Sequence, residues 1–110
     1  MIVNNNSKVI FFGSGDFCLP ILKRLLGSSY KLLLVISQPD RPRGRKMIPS
    51  PTSVKKFAIA NKLRHTEPAS IKKGDFLQNL KSLRPDIGIV CDYGEILPPE
   101  ILILPKYQTY

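Results

Sequence analysis

The sequence predicts an α/β fold on a parallel sheet of four strands in the order 3-2-1-4, and three observations carry that reading. Short apolar runs, almost unbroken, occur at Lys8-Val9-Ile10-Phe11-Phe12, Leu32-Leu33-Leu34-Val35-Ile36 and Ile87-Gly88-Ile89-Val90-Cys91. Runs of this kind mark strands covered on both faces. Segments of helical spacing lie between them, and that alternation builds a parallel sheet. Right-handed crossovers then leave 3-2-1-4 as the order.

Taken in order, residues 1–7 form a polar lead-in expected to fray, and residues 8–110 form one domain. Lys8 to Phe12 is the first strand, broken by Gly13-Ser14-Gly15. Asp16 is the expected N-cap of a helix with Cys18, Ile21, Leu22 and Leu25 on one stripe, Pro20 in its first turn and Gly27 at its end. Leu32 to Ile36 is the second strand. Ser53 is the expected cap of the next helix, where Val54, Phe57, Ala58 and Asn61 follow helical spacing. A short third strand is placed near Arg64 to Glu67. Asp75 is the expected cap of a helix with Phe76, Leu80 and Leu83 in register, ended by Pro85. Ile87 to Cys91 is the fourth strand, and Pro98-Pro99-Glu100 begins a short helix that stops before Pro105.

The segment Ser37 to Pro51 does not fit this alternation. Connections of its kind usually take two to six residues. Pro39, Pro42, Pro49 and Pro51 remove donors and fix φ, so neither a helix nor a central strand is expected to run through it. Arg41, Arg43, Arg45 and Lys46 fall between them with Asp40 as the acid nearby. A long insertion stiffened by proline and loaded with arginine reads as a binding device, against the plainer reading of a solvated basic loop.

Seventeen Lys and Arg against eight Asp and Glu give a net charge of +9 over 110 residues. That balance favours a polyanionic partner, nucleic acid before membrane. No apolar run approaches the ~20 residues a bilayer span needs, and Met1 to Ser7 lacks the pattern of a signal peptide. With Cys18 and Cys91 far apart in apolar surroundings, the expectation is free thiols in a cytoplasmic setting. One histidine and two separated cysteines give no metal-ligand spacing, so no metal site is expected.

In a sheet of this order, ligands bind outside the carboxyl ends of strands one and four. Two loops meet there, Gly13-Ser14-Gly15-Asp16 and Asp92-Tyr93-Gly94-Glu95-Ile96-Leu97-Pro98. The first has the outline of a dinucleotide fingerprint, but Cys18 stands at the third glycine position and no acid ends the second strand. A tight strand-to-helix turn is the reading favoured, with amides that could still hold an anion. The second loop offers an apolar wall for a flat heterocycle. Asp92 is a candidate general acid or base beside the commoner reading of a solvated carboxylate. Cys91 reads as packing and His65 as surface.

These residues carry a resemblance. Lys8 to Tyr107 resembles the amino-terminal half of the methionyl-tRNA formyltransferases, a folate-dependent formyltransferase family of Rossmann-like, three-layer fold. The matching pieces are Val9 to Ser14 with Asp16-Phe17, Gln38-Pro39-Asp40-Arg41-Pro42 with Gly44-Arg45, Pro49-Ser50-Pro51, Tyr93 to Pro98, and Leu104-Pro105-Lys106-Tyr107. The resemblance implies formyl transfer from 10-formyltetrahydrofolate to the amino group of initiator methionyl-tRNA. It implies tRNA contacts at Arg41, Arg43, Arg45 and Lys46, with Arg45 as the family's loop arginine. It also implies a folate pocket along Tyr93, Gly94, Ile96, Leu97 and Pro98, and a substrate loop at Gly13, Ser14 and Asp16.

Two positions depart from the family's pattern. Gly15 stands where the family has proline, and Asp92 where it has alanine, which predicts a buried carboxylate against the folate wall. The family's catalytic asparagine, histidine and later aspartate have no counterpart here, because the likeness stops at Gln108. The expectation is therefore an incomplete sheet and a chain inactive alone, from a truncated or frameshifted gene. A missing carboxyl-terminal half would complement it, and a naked edge on the fourth strand would drive self-association. The competing reading is a non-catalytic RNA-binding remnant using the basic 38–51 loop.

Overall fold

Along the chain the elements are β1 (Lys8–Gly13), α1 (Leu19–Leu26) entered through a 3-10 turn Asp16–Cys18, β2 (Lys31–Ile36), β3 (Arg41–Arg43), β4 (Ile48–Ser50), α2 (Ser53–Ala60), β5 (His65–Thr66), α3 (Gly74–Leu83), β6 (Ile87–Cys91) and α4 (Pro99–Leu102). This computed structural model describes residues 6–43 and 47–110. Arg45, Lys46 and the side chain of Arg43 lie outside what is described.

The parallel sheet has the order β5-β2-β1-β6, which is the predicted 3-2-1-4. Central β1 pairs with β2 from Lys8↔Lys31 to Phe12↔Ile36, with a bulge between Val9 and Ile10. On its other side it pairs with β6 from Val9↔Ile87 to Gly13↔Cys91. Successive side chains of a strand point to opposite faces. Ile10 and Phe12 accordingly join Leu34, Ile36, Phe76 and Leu80 on the α3 side. Val9 and Phe11 join Leu22, Val35, Val54 and Ala58 on the side of α1 and α2. Both faces are covered, which is why the runs alternate so little. At about 1.5–3 kcal/mol per large side chain fully buried, Ile10, Phe11 and Phe12, all at 0% exposure, anchor the sheet.

The helix starts differ from the expectation. Thr52, not Ser53, caps α2, its Oγ1 accepting the Lys55 N–H at 3.0 Å. Lys73 holds the N-cap position of α3 without a side-chain bond, and Asp75 lies inside the first turn. Asp16 opens the 3-10 turn, and its carboxylate accepts the Ser53 hydroxyl rather than capping α1. Ile21, placed on the buried stripe, is 36% exposed. In the lead-in, Ser7 is buried and its carbonyl accepts the Lys31 N–H at 2.9 Å.

The proline-rich insertion is a two-stranded antiparallel ribbon, with Arg41↔Ser50, Pro42↔Pro49 and Arg43↔Ile48 as pairs. Antiparallel pairs alternate between those that exchange N–H···O bonds and those that do not. Pro42 and Pro49 face each other at the pair that needs no donor, so proline interrupts nothing.

The edge of β6 is not bare. The Gly88 N–H donates to Gln108 O at 3.0 Å, the Tyr110 N–H to Gly88 O at 2.8 Å, and the Val90 N–H to Tyr110 O at 2.8 Å. The last residues thus run parallel to β6. Among the described residues no helix is long and apolar enough to cross a membrane.

Candidate functional site

A cleft of about 590 Å3 opens at the carboxyl ends of β1, β2 and β6, a size typical of small-ligand pockets. Its floor is organised by Ser14. The Ser14 N–H donates to Asp92 O at 2.9 Å and its carbonyl accepts the Val54 N–H at 3.2 Å. Its hydroxyl donates to Tyr93 O at 2.9 Å and accepts the Gln38 N–H at 3.1 Å. One residue, through its main chain and its hydroxyl, thereby ties together the ends of all three strands and the start of α2.

The turn after β1 is tight because of what surrounds it. A Cβ on Gly13 would stand 2.6 Å from Cys18 Sγ, Cys91 O and Phe11 Cε1. Cys18, at the third glycine position of the fingerprint outline, instead donates its thiol to Cys91 O at 2.7 Å. Burial, followed by the neighbouring Cys91, pushes that thiol up to about 12. The Cys18 N–H bonds to Gly15 O at 3.1 Å, so the amides of Ser14 and Cys18 are both committed internally.

Asp92 is exposed, contrary to the buried carboxylate expected, and its backbone φ is +51°, a left-handed value that Asp tolerates better than most residues. Gly15 has φ −84° and ψ 178°, open to any residue. Space explains the glycine there, since a Cβ would overlap Asp92 Oδ2. Gly15→Ala is expected to turn the exposed carboxylate aside, at a cost below about 1 kcal/mol. Asp92→Gly, which suits a positive φ, should abolish that cost. Urea denaturation of the two single variants and the double reads this, and an equal cost in both backgrounds would refute it.

The cationic side of the cleft comes from the insertion and α2. Arg41 and Lys56 line it, together with Ser50, Pro51 and Thr52. The Arg41 guanidinium donates from Nη2 to Gln38 Oε1 at 2.8 Å, and Lys56 has no ion-pair partner among the described residues. Lys55, beside it, turns away to Asp40 at 3.0 Å and Glu67 at 3.4 Å. The bond to Asp40 holds its ammonium above the usual lysine range. His65, on β5, sits 2.6 Å from Glu67 Oε2 and outside the cleft.

The loop after β6 distributes its residues widely. Gly94 (φ +100°) lines the cleft over Gln38. The Tyr93 ring is 2% exposed and meets Phe12 edge-on at 5.7 Å, its hydroxyl unpartnered among the described residues. Burial, followed by the charge of Glu95, pushes that phenol up to about 12. Ile96 stands in solvent at 92% exposure, Leu97 is in the core, and Pro98 precedes α4. The structure therefore brings Ser14, Asp16, Arg41, Tyr93 and Gly94 to one cleft and leaves Gly13, Ile96, Leu97 and Pro98 off its lining. The sequence reading did not single out Gln38, Thr52 or Lys56. Only the spacing of Lys56 from Thr52, one helical turn on, hinted that both face one way.

Residues 7–109 match the formyl transferase family. The chain is 44% identical over 103 residues to the methionyl-tRNA formyltransferase of Sulfurihydrogenibium sp. (strain YO3AOP1), covering 93% of this chain and 33% of that protein. It is 44% identical over 101 residues to the methionyl-tRNA formyltransferase of Caldanaerobacter subterraneus subsp. tengcongensis, covering 91% and 33%. The chain thus spans about a third of the length of these curated relatives. Among solved structures, phosphoribosylglycinamide formyltransferase from Bacillus halodurans superposes with a TM-score of 0.64 at 15% identity, over 93% of this chain and 53% of that one. Glycinamide ribonucleotide transformylase 1 from Symbiobacterium toebii gives 0.61 at 13%, over 97% and 51%. At such identities the superpositions speak for the fold.

Proposed function

Because the chain belongs to the formyl transferase family, we propose that it is the substrate-gripping part of a methionyl-tRNA formyltransferase. In this reading it holds the acceptor end of initiator methionyl-tRNA while 10-formyltetrahydrofolate supplies the formyl group. The observation that carries the reading is the cleft itself, lined by the cations Arg41 and Lys56 together with the acids Asp16 and Asp92. An aminoacylated RNA end has the matching polarity, phosphates near an ammonium. The first strand of the proline-braced ribbon of β3 and β4 includes Arg41 and Arg43, and Arg45 and Lys46 follow in the sequence. A guanidinium fork suits phosphate oxygens, and a stiffened ribbon loses little entropy on docking. Gly13 lies buried beneath the floor of the cleft, and the space its missing side chain leaves is taken by Cys18, Cys91 and Phe11.

When bound, the donor would supply a formyl carbon for the amino nitrogen, the released donor nitrogen taking up the proton that the amine gives up. Gly94, on the lining, is the residue of the loop after β6 that would meet its flat ring, while the buried Tyr93 and Leu97 anchor the loop in the core. Asp16 is engaged by Ser53 and His65 lies elsewhere, which leaves Asp92 as the acid of the lining exposed without a side-chain bond among the described residues, and one solvated carboxylate suits binding better than proton transfer. We therefore expect no turnover from these residues alone. Formyl transfer should appear when the chain is mixed with the carboxyl-terminal part of the Sulfurihydrogenibium relative, whereas binding without transfer in that mixture would favour the RNA-binding remnant.

The direct test is titration of the chain with an acceptor-stem RNA hairpin at several salt concentrations. Each phosphate neutralised should add about −0.7 to −0.9 to the slope of log affinity on log salt. Arg41→Ala and Lys56→Ala together should flatten the slope by roughly 1.5 and weaken binding at low salt. An affinity unchanged by the pair would sink the proposal.

A further inference from the structure

The geometry points to Gln38 as a positioning residue that couples the arginine ribbon to the loop behind the cleft. It deepens the function proposed above and rests on the reading that Arg41 meets a phosphate. Gln38 is 7% exposed and sits where the ribbon leaves β2. Its main-chain N–H is held by Ser14 Oγ at 3.1 Å. Its side chain then points two ways, Oε1 accepting from Arg41 Nη2 at 2.8 Å and Nε2 donating to Glu95 Oε1 at 3.1 Å. Gly94 folds over it, so that a Cβ there would meet Gln38 Cγ at 3.4 Å.

Among side chains, an uncharged amide is suited to this post, because it accepts from a cation and donates to an anion at once. The amide has one workable orientation, since the reverse would set its NH2 against the guanidinium and its oxygen against the carboxylate. Arg41 and Glu95 therefore fix each other through Gln38. A polyanion that draws on Arg41 acts on the bond to Glu95, and a ligand that presses on Gly94 acts on Arg41. Coupling of this kind is reciprocal by thermodynamic necessity.

The test is a cycle of four chains: the parent, Gln38→Glu, Glu95→Gln and the double variant. Gln38→Glu sets two carboxylates together, and Tm should fall by roughly 4–8 °C. Glu95→Gln keeps an acceptor for Nε2 and should leave Tm near the parent. In the double variant a carboxylate at position 38 accepts from both Arg41 and the new amide, so most of the lost Tm should return. Affinity for the acceptor-stem hairpin should follow the same order, falling about tenfold in Gln38→Glu and recovering in the double. Equal Tm loss from Gln38→Glu in both Glu95 backgrounds would overturn the link. A Tm cycle that shows the link while all four chains bind the hairpin equally would overturn its role in binding. A parent that melts as expected but does not bind the hairpin overturns the functional reading and with it the role in binding, while the Tm cycle still decides the link by itself.

Discussion

Gly13→Ala is expected to cost at least about 3 kcal/mol, the upper end of what overpacking a filled interior usually costs. The added methyl would sit 2.6 Å from a buried thiol, a backbone carbonyl and an aromatic carbon, all at once. None of these neighbours has a free direction. Cys18 is buried at 0% exposure with its thiol engaged by Cys91 O, Phe11 is buried between sheet and helices, and Cys91 O belongs to the neighbouring strand. Relief must therefore come from parting β1 and β6 at their carboxyl ends, which also separates Ser14 from Asp92 and Tyr93. Against the roughly 5–15 kcal/mol that a domain commands, such a loss should lower Tm by about 12 °C or more and open the cleft. Adding Cys18→Ala should return only part of it, because the carbonyl contact remains. A Tm for Gly13→Ala within two degrees of the parent would show that the turn has slack the packing denies.

Stability should collapse as pH rises from about 9 to about 12. Cys18 and Tyr93 both keep their protons to about 12 in the folded chain, chiefly because burial penalises the charged forms. Their ordinary values are 9.0 and 10.0, so the unfolded chain releases these protons earlier. The folded state therefore binds more protons across that window, and stability falls with pH by about 1.4 kcal/mol per unit for each retained proton. The contribution is fully present below pH 9. Cys18 acts first, Tyr93 joins above pH 10, and the loss by pH 12 is on the order of 5 kcal/mol. Lys55, raised by Asp40, adds in the same sense. Tyr93→Phe isolates one proton, since the hydroxyl has no partner to lose among the described residues. That variant should match or exceed the parent at pH 7 and lose stability less steeply above pH 10. Urea midpoints that stay level between pH 9 and 11 in the parent would refute the assignment.

Where sequence and structure part, the reason is local chemistry settled at a distance. The unbroken runs at 8–12, 32–36 and 87–91 announced strands covered on both sides, because a strand with a wet face would alternate. The proline-rich insertion concealed its ribbon, because proline is counted against strands one residue at a time. Only the register shows that Pro42 and Pro49 oppose each other where no donor is needed. The α2 cap moved from Ser53 to Thr52 because the Ser53 hydroxyl is drawn to Asp16, 37 residues away. The edge of β6 acquired partners at 108–110, beyond the last quoted motif Leu104-Pro105-Lys106-Tyr107 though the family match runs to residue 109, because backbone pairing asks little of side-chain identity.

By itself the sequence determined the sheet order, the two-sided core, and the meeting of the β1 and β6 loops at one end. Those follow from periodicity and crossover handedness, which are written locally along the chain. Tertiary structure alone decided which polar groups in that meeting are spent and which are free. Ser14 is consumed as a tie, Gln38 is placed between opposite charges, Asp92 fills the space Gly15 leaves, and Arg41 and Lys56 face the cleft. A hydrogen-bond partner tens of residues away leaves no periodic trace in sequence, so the chemistry of the site becomes legible only when the strands bring its groups within reach.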